Sequence, residues 1–267
     1  MNDNKGKQKS SMSGLQKALV IAGVLLVAGS LLYSGYQWRL ARNHAEQIDE
    51  LKTYVRIPET EDAEEIEEET GPEETYISPY KEIFDRNSNM VAWLKIPDAK
   101  VDYPVMQTRE DEEYYLYHDF YGEPDKNGCL VLAAAANVDP PSGNLLIHGH
   151  NMKSGEMFGE LDLYKDQEYE KRHSIMVLYT ENEERTYQIM AVFFGKVLNQ
   201  EEDGFRYYRF FGTDDEEEFH AFYDEVKARS FYDTGVTADK DDELIMLSTC
   251  TNRGKRERLV IVGKRIS

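Results

Sequence analysis

The chain has 267 residues, enough for one ordinary domain with additional segments, and its formal net charge is −20. A nucleic-acid partner requires a basic surface, so this charge argues against one. The two cysteines, Cys129 and Cys250, are far apart in sequence and predict neither a disulfide framework nor a tetrahedral zinc site. Each is either a small buried apolar residue or a reactive thiol.

An uncharged apolar segment lies near the N-terminus. Residues 18–33, extended by residues 34–38, reach the roughly 20 residues that a bilayer crossing needs. A cleavable signal peptide is the alternative, but the aromatic residues at its end and the polar stretch that follows favour an uncleaved transmembrane anchor at 15–38. The positive-inside rule favours a cytoplasmic tail at 1–14, because lysines cluster around the start of this region: Lys5, Lys7, Lys9 and Lys17.

The segment after the anchor is strongly acidic. Residues 59–74 contain ten carboxylates and no basic side chain, and Pro58, Gly71 and Pro72 interrupt regular structure. Such self-repelling sequence cannot bury a core, so we expect residues 39–77 to form an extracellular juxtamembrane segment and acidic stalk. A helix with an acidic face and a cation-binding segment are the alternatives.

The chain from residue 78 onward has the pattern of a folded domain. Tyr80, Ile83 and Phe84 have helical spacing and predict a helix at its start. Short apolar or alternating runs, many of them bounded by proline or glycine, then predict strands at 91–96, 101–106, 129–136, 145–148, 174–179, 185–197, 244–249 and 258–266. Many short strands with long loops favour a β-barrel or a sandwich.

One segment interrupts the strands. Residues 213–230 carry apolar side chains at helical spacing and acidic residues in the first turn, so they predict an inserted helix with Thr213 as its N-cap.

A predicted hairpin brings a thiol close to a cation. Cys250 ends one apolar strand and Arg258 begins the next, so antiparallel pairing places them nearly opposite each other. A nearby cation stabilises a thiolate and binds negative charge that develops on a substrate carbonyl. The alternative is a solvated basic loop, since Arg253, Lys255 and Arg256 also lie there.

Two histidines, His148 and His150, follow another apolar strand. A thiol nucleophile needs a proton-transfer partner, and histidines at strand ends are well placed for that role. They could also be surface residues, or two ligands of a metal site whose further ligands the sequence does not supply.

Several motifs together resemble the sortase family. Leu-Ser-Thr-Cys at 247–250, followed by Arg258 and its apolar strand, resembles the sortase signature, although Leu247 replaces the leading threonine. Gly-His-Asn-Met at 149–152, the segment 93–105 and the tyrosine-rich segment 114–122 resemble class B sortases in particular.

The resemblance implies a mainly β fold: a closed eight-stranded barrel with added helices, forming an extracellular catalytic domain at 78–267 behind a single membrane anchor. It implies that Cys250, His150 and Arg258 are catalytic, with His150 favoured over His148 because the family's histidine follows the glycine. Ser248 and Thr249 line the approach to the thiol and are expected to contact substrate. It implies no metal and no organic cofactor.

The implied activity is cysteine transpeptidation. The enzyme would cleave a C-terminal sorting motif after threonine in secreted proteins and join the product, through a thioacyl enzyme, to a peptidoglycan precursor or cross-bridge amine. The alternatives are a surface cysteine peptidase that hydrolyses the same motif and a non-enzymatic anchored module that binds metal through His148 and His150.

Overall fold

The computed structural model describes residues 13–56 and 76–267. The expected acidic stalk at 59–74 and nearly all of the expected cytoplasmic tail lie outside the described residues. The chain divides into two compact units, Met1–Glu46 and Gln47–Ser267. The second unit includes the expected domain at 78–267 and also the end of the first helix, where Ile48 and Leu51 are buried in the same core as the strands.

The first helix, α1, covers Gly14–Lys52 and contains the apolar run. Its apolar window has a mean hydropathy of 2.1 and is fully exposed, so by length and composition it could cross a membrane. A signal sequence near an N-terminus has the same properties. The helix covers the expected anchor at 15–38 and continues into the polar stretch after it, as far as Lys52.

The described residues contain eight strands, one for each of the eight apolar runs. These are β1 (Met90–Lys95), β2 (Asp102–Met106), β3 (Leu130–Leu132), β4 (Asn144–Gly149), β5 (Ile175–Tyr179), β6 (Glu184–Lys196), β7 (Leu244–Thr251) and β8 (Gly254–Arg265). They close into a barrel in the order β1-β2-β3-β4-β7-β8-β6-β5. The pairs β2–β3 and β4–β7 are parallel, and the other pairs are antiparallel. The expected closed eight-stranded barrel is confirmed.

Two strands differ from one of their expected limits by four residues. The run at 129–136 forms a strand only to Leu132, because the alanines after it turn: the Ala136 amide donates to the Ala133 carbonyl at 3.0 Å. Alanine has low strand propensity, which is consistent with the early end. β8 begins at Gly254 instead of residue 258, so the hairpin with β7 extends beyond Cys250 through a register shift.

The helices include some that the sequence did not indicate. Helix α2 (Lys81–Phe84) is the short helix expected at the domain entrance, whereas α3 (Gln167–Arg172) and three short 3₁₀ helices at Tyr114–Leu116, Gly159–Lys165 and Tyr207–Arg209 were not expected. Helix α4 (Glu216–Arg229) is the expected inserted helix.

The expected N-cap of α4 is wrong by two residues. Asp215 caps the helix, because its Oδ1 accepts hydrogen bonds from the amides of Glu217 at 2.8 Å and Glu218 at 3.0 Å. Thr213 lies two residues earlier, and its hydroxyl accepts from the Asp215 amide at 3.1 Å.

Side chains alternate between two cores along the central strands β4, β7 and β8. One set belongs to the larger core of the barrel: Leu145, Ile147, Ile245, Leu247, Leu259 and Ile261. The other set packs in a second core with α4: Leu146, Met246, Val260 and Val262. Because side chains in a strand alternate between faces, residues 148, 248 and 258 continue the second set. His148, Ser248 and Arg258 therefore lie on the face of the barrel that α4 partly covers, whereas Thr249 continues the set of the larger core.

Candidate active site

The strand pairing brings together residues that are far apart in the chain. Cys250 on β7 lies directly opposite Arg258 on β8, as the predicted hairpin required. The parallel pairing of β4 with β7 places His148 beside Ser248, so that His150 follows at the same end of the barrel as Cys250. All five side chains line one cleft with a volume of about 500 Å³.

The two cysteines have different environments. Cys250 is exposed at the cleft, whereas Cys129 is buried. Burial raises the pKa of the Cys129 thiol, and the carboxylates of Asp119 and Asp125 raise it further, so this thiol stays protonated. A protonated, buried thiol is unreactive, which leaves Cys250 as the accessible thiol.

Three contacts fix the position of His150. Its Nε2 lies 2.8 Å from the Leu116 carbonyl, and its own carbonyl accepts from the Phe158 amide at 2.9 Å. The ring also faces Tyr117, with the centroids 5.6 Å apart. Because a carbonyl can only accept a hydrogen bond, Nε2 carries a proton in this arrangement. Nδ1 is then the atom that can gain or lose a proton.

The next residue, Asn151, ties the histidine loop to the cysteine strand. Its side-chain amide donates to the Cys250 carbonyl at 2.8 Å. The spacing between the histidine loop and the end of β7 is therefore set by a direct hydrogen bond as well as by the β4–β7 ladder.

His148 lies in the same cleft but has different chemistry. Burial lowers its pKa to about 4, with a smaller contribution from the positive charge of Arg258, so it is neutral at pH 7. Its Nε2 is 4.0 Å from Glu112 Oε1, which does not form an ion pair with a neutral ring. Within residues 13–56 and 76–267, no group of three His, Cys, Asp or Glu side chains is placed to hold a metal ion.

The structure distinguishes Arg258 from the other bases near the hairpin turn. Arg253 lies over the Phe194 ring, 4.2 Å from its centroid, and Arg256 forms an ion pair with Glu202. Arg258 lines the cleft, and within the described part of the chain its guanidinium donates only to backbone carbonyls, those of Lys255 at 3.0 Å and Glu257 at 3.1 Å. Among the ion pairs of the described residues, none involves Arg258. Its charge is therefore available to a ligand.

Ser248 and Thr249 line the cleft, although both are buried and have partners inside the protein. The Ser248 hydroxyl lies 3.0 Å from the Tyr207 hydroxyl, and Thr249 donates to the Gly149 carbonyl at 2.8 Å. Burial raises the pKa of Tyr207 to about 12, so this phenol stays protonated. The expectation that Ser248 and Thr249 contact substrate stays a prediction.

Some parts of the site had no counterpart in the sequence analysis. The Leu116 carbonyl, the Asn151 amide and the Tyr207 hydroxyl all orient residues that the motifs identified. Asn151 lay within the quoted motif Gly-His-Asn-Met and Leu116 within the quoted segment 114–122, but neither was given a role there. A backbone carbonyl has no signature in sequence, and Tyr207 is one of many tyrosines.

Comparison with known proteins identifies the family. Residues 94–266, more than half of the chain, match the family model described as the sortase domain. The chain belongs to the sortase family. Sortases are cysteine transpeptidases, so this chain is an enzyme of that type.

Its relatives are class B sortases, which confirms the resemblance seen in the motifs. The chain is 28% identical over 251 residues to sortase B of Listeria monocytogenes, covering 91% of this chain and 95% of that protein. The crystal structure of Bacillus anthracis sortase B in complex with AAEK1 superimposes with a TM-score of 0.68 at 22% identity, covering 86% of this chain and 99% of that one.

A third relative was solved with a substrate. The Staphylococcus aureus sortase B–substrate complex superimposes with a TM-score of 0.63 at 22% identity, covering 71% of this chain and 85% of that chain. At this identity the match supports the fold, including the closed barrel.

Proposed function

We propose that Cys250 is the nucleophile of this transpeptidase, with His150 as the proton-transfer residue and Arg258 as the electrostatic stabiliser. The observation that supports this most strongly is the exposure of Cys250 at a strand end directly opposite a cleft-lining arginine. His150 lines the same cleft and has its ring fixed by Leu116.

In the first step, the Cys250 thiolate attacks the carbonyl carbon of the scissile peptide bond. Negative charge develops on the carbonyl oxygen, and the Arg258 guanidinium stabilises it. The carbon–nitrogen bond then breaks, and the leaving amine takes a proton from Nδ1 of a protonated His150. The products are a thioacyl enzyme and the released C-terminal peptide.

In the second step, an acceptor amine attacks the thioester carbonyl and gives up a proton to His150. The carbon–sulfur bond breaks, Cys250 leaves as the thiolate, and a new amide bond forms. The His150 ring returns to its protonated form, so the two steps balance without a metal or an organic cofactor.

The substrates follow from the family. We propose that the donor is a secreted protein cleaved after threonine in a C-terminal sorting motif, in line with the substrate complex of Staphylococcus aureus sortase B. The acceptor is proposed to be an amine of a peptidoglycan precursor or cross-bridge. Members of the family are associated with the cell surface, and we propose that α1 anchors this chain as a single membrane span with the barrel outside.

Mass spectrometry of the full-length protein in detergent tests this function. The protein is incubated with threonine-containing sorting peptides and an amine, with Cys250→Ala as the active-site variant and Cys129→Ala as the matched cysteine control. We expect a thioacyl adduct and an amine-dependent ligation product in the wild type and in Cys129→Ala, and neither in Cys250→Ala.

Two results would contradict the proposal. Ligation that persists in Cys250→Ala would exclude this thiol as the nucleophile. An adduct on Cys250 that yields only the hydrolysed peptide, with no product containing the added amine, would instead support a surface cysteine peptidase.

A further inference from the structure

The connection between β6 and the 3₁₀ helix at Tyr207–Arg209 borders the cleft, although no step of the proposed reaction uses it. Val197 at its start and Tyr207 directly after it both line the cleft. The Tyr207 hydroxyl also lies 3.0 Å from the hydroxyl of Ser248, on the strand that carries the proposed nucleophile. The position of this connection, residues 197–206, therefore sets one wall of the cleft.

One carboxylate, that of Glu202, joins the connection to β8. Glu202 forms an ion pair with Arg256, in which each carboxylate oxygen accepts from a different guanidinium nitrogen. It also pairs with Lys196 Nζ at 3.1 Å and accepts from the Asn199 amide at 2.7 Å. These hydrogen bonds, with that from Arg256 the strongest influence, lower the pKa of Glu202 to about 2, so the carboxylate is ionised at pH 7.

The connection is also bonded to itself and to the 3₁₀ helix that follows it. Arg206 Nη2 donates to the Glu202 carbonyl. The Leu198 amide donates to the Tyr208 hydroxyl at 3.1 Å, and Tyr208 lines the cleft beside Tyr207. Because these bonds link the two ends of the connection, a displacement at Glu202 is transmitted to the tyrosines of the wall.

The other partner of the ion pair lies on the strand of the proposed electrostatic stabiliser. Arg256 and Arg258 are two residues apart on β8 and therefore lie on the same face of that strand. Arg256 itself does not line the cleft. Its carbonyl accepts from the Val197 amide at 2.9 Å, at the start of the connection. The ion pair of Glu202 with Arg256 thus fixes the wall relative to the strand that carries Arg258.

We propose that Glu202 is a positioning residue for acylation: its ion pair with Arg256 holds the connection 197–206 against β8 and so keeps the Tyr207 side of the cleft in place for the donor peptide. This inference rests on the proposed function of the cleft. Isolated surface ion pairs contribute little, but a bidentate arginine–carboxylate pair within a network of charges contributes more. Glu202 meets both conditions, with Lys196 as the second cation.

Two reactions of Cys250 separate the wall from the thiol in the full-length protein in detergent. The second-order rate constant for acylation by threonine-containing sorting peptides is measured by mass spectrometry without an acceptor amine. Alkylation of the same thiol by iodoacetamide is measured in parallel, because this small reagent does not need the wall. The variants are Glu202→Gln, Arg256→Gln and the double variant, with Glu201→Gln as the matched control.

The control differs from the test in its contacts alone. Glutamine can still accept from the Asn199 amide, so Glu202→Gln removes the charge and retains the size. Glu201 is the neighbouring acid in the same connection, and it has no ion pair among the described residues. A general effect of lost negative charge would therefore appear in both variants.

We expect Glu202→Gln and Arg256→Gln each to slow acylation about three- to tenfold and to leave alkylation within about twofold of the wild type. The double variant should lose no more than either single variant, because both changes remove the same pair. Glu201→Gln should retain both rates.

Three results would overturn the inference and leave the proposed function intact. The first is acylation by Glu202→Gln at the rate of Glu201→Gln. The second is a pair of losses that multiply in the double variant, since Glu202 would then act independently of Arg256. The third is alkylation that slows in parallel with acylation, since the change would then act on the thiol itself. Failure of every peptide to acylate Cys250 in the wild type would overturn the proposed function and this inference together.

Discussion

Gly128 packs against the Leu116 carbonyl, which is the hydrogen-bond partner of His150, the proposed proton-transfer residue. Its φ is +57°, and a Cβ at this position would lie 2.2 Å from the Leu116 oxygen, although real Cβ contacts essentially never fall below 3.0 Å. In Gly128→Ala the Leu116 carbonyl would have to move by about 0.8 Å, the difference between these two distances. That carbonyl is the partner of His150 Nε2 at 2.8 Å, and hydrogen bonds weaken as they lengthen and bend.

The expected magnitudes follow from this geometry. The left-handed conformation alone costs alanine roughly 1 to 2 kcal/mol, and the backbone clash adds about as much again. Misplacement of a reacting group by about 1 Å can reduce a rate about 100-fold, so we expect Gly128→Ala to acylate Cys250 about 10- to 100-fold more slowly.

Gly235→Ala is the matched control for Gly128→Ala. Gly235 also has a positive φ, +76°, but within the described part of the chain a Cβ there would meet no atom within 4 Å. It therefore carries the same kind of conformational cost without the clash. Unfolding of both variants, followed by the fluorescence of the buried Trp93, measures the cost in stability. Acylation kinetics of both variants measure the effect of the clash on the reaction. If Gly128→Ala acylates as fast as Gly235→Ala, the Leu116 carbonyl does not control His150.

Three further outcomes are expected. Arg258→Lys should slow acylation by about 10-fold or more because lysine lacks the guanidinium fork, whereas Arg253→Lys should retain the wild-type rate; equal rates in peptide acylation assays would contradict this. Tyr207→Phe and Ser248→Ala should each cost about 1 to 2 kcal/mol in chemical denaturation, and the double variant less than their sum, because each single change leaves one buried hydroxyl unpaired. Between pH 7 and 5 the wild type should lose about 2 kcal/mol more stability than His148→Gln, which thermal unfolding in matched buffers checks.

The sign of the pH effect follows from the direction of the shift. The pKa of His148 is lowered to about 4 in the folded state, whereas an unfolded histidine titrates near its ordinary value of 6.5. Below that value the unfolded chain binds a proton that the folded chain does not, so folding loses stability as the pH falls toward 4. Glutamine does not titrate, so this contribution is absent from the variant. A wild type and variant with parallel pH dependence would show that folding does not lower the pKa of His148.

Local sequence pattern was sufficient to predict much of the barrel. Every strand lies within or beside one of the eight apolar runs, because alternation and turn residues are local properties. The hairpin of β7 and β8 is also local, so the pairing of Cys250 with Arg258 could be derived from the strand limits alone. Errors within the expected elements fell at their ends, as with Thr213 and the alanines after β3, where side-chain hydrogen bonds or weak propensity decide. Helix α3 and the three 3₁₀ helices were missed entirely.

Pairing between distant strands could not be derived in this way. β4 and β7 lie side by side in parallel although their paired residues Gly149 and Thr249 are 100 positions apart, and no spacing rule links them. This pairing brings His150 to Cys250. The resemblance to a known family supplied that relation, while the residues alone left His148, His150 and a metal site as open alternatives.

The separation of roles among the basic residues shows why the fold was needed to interpret the motif. Four bases surround the hairpin turn, and composition treats them alike. Arg256 pairs with Glu202 and Arg253 lies on the Phe194 ring, so both are engaged in local contacts. Arg258 lies on the same face of β8 as Val262 and Val260 of the second core. This face meets the cleft at Arg258. Arg256 has the same strand parity, so the position of Arg258 opposite Cys250 decides which positive charge lies beside the thiol. A one-residue slip of β8 would direct Arg258 toward the larger core of the barrel instead.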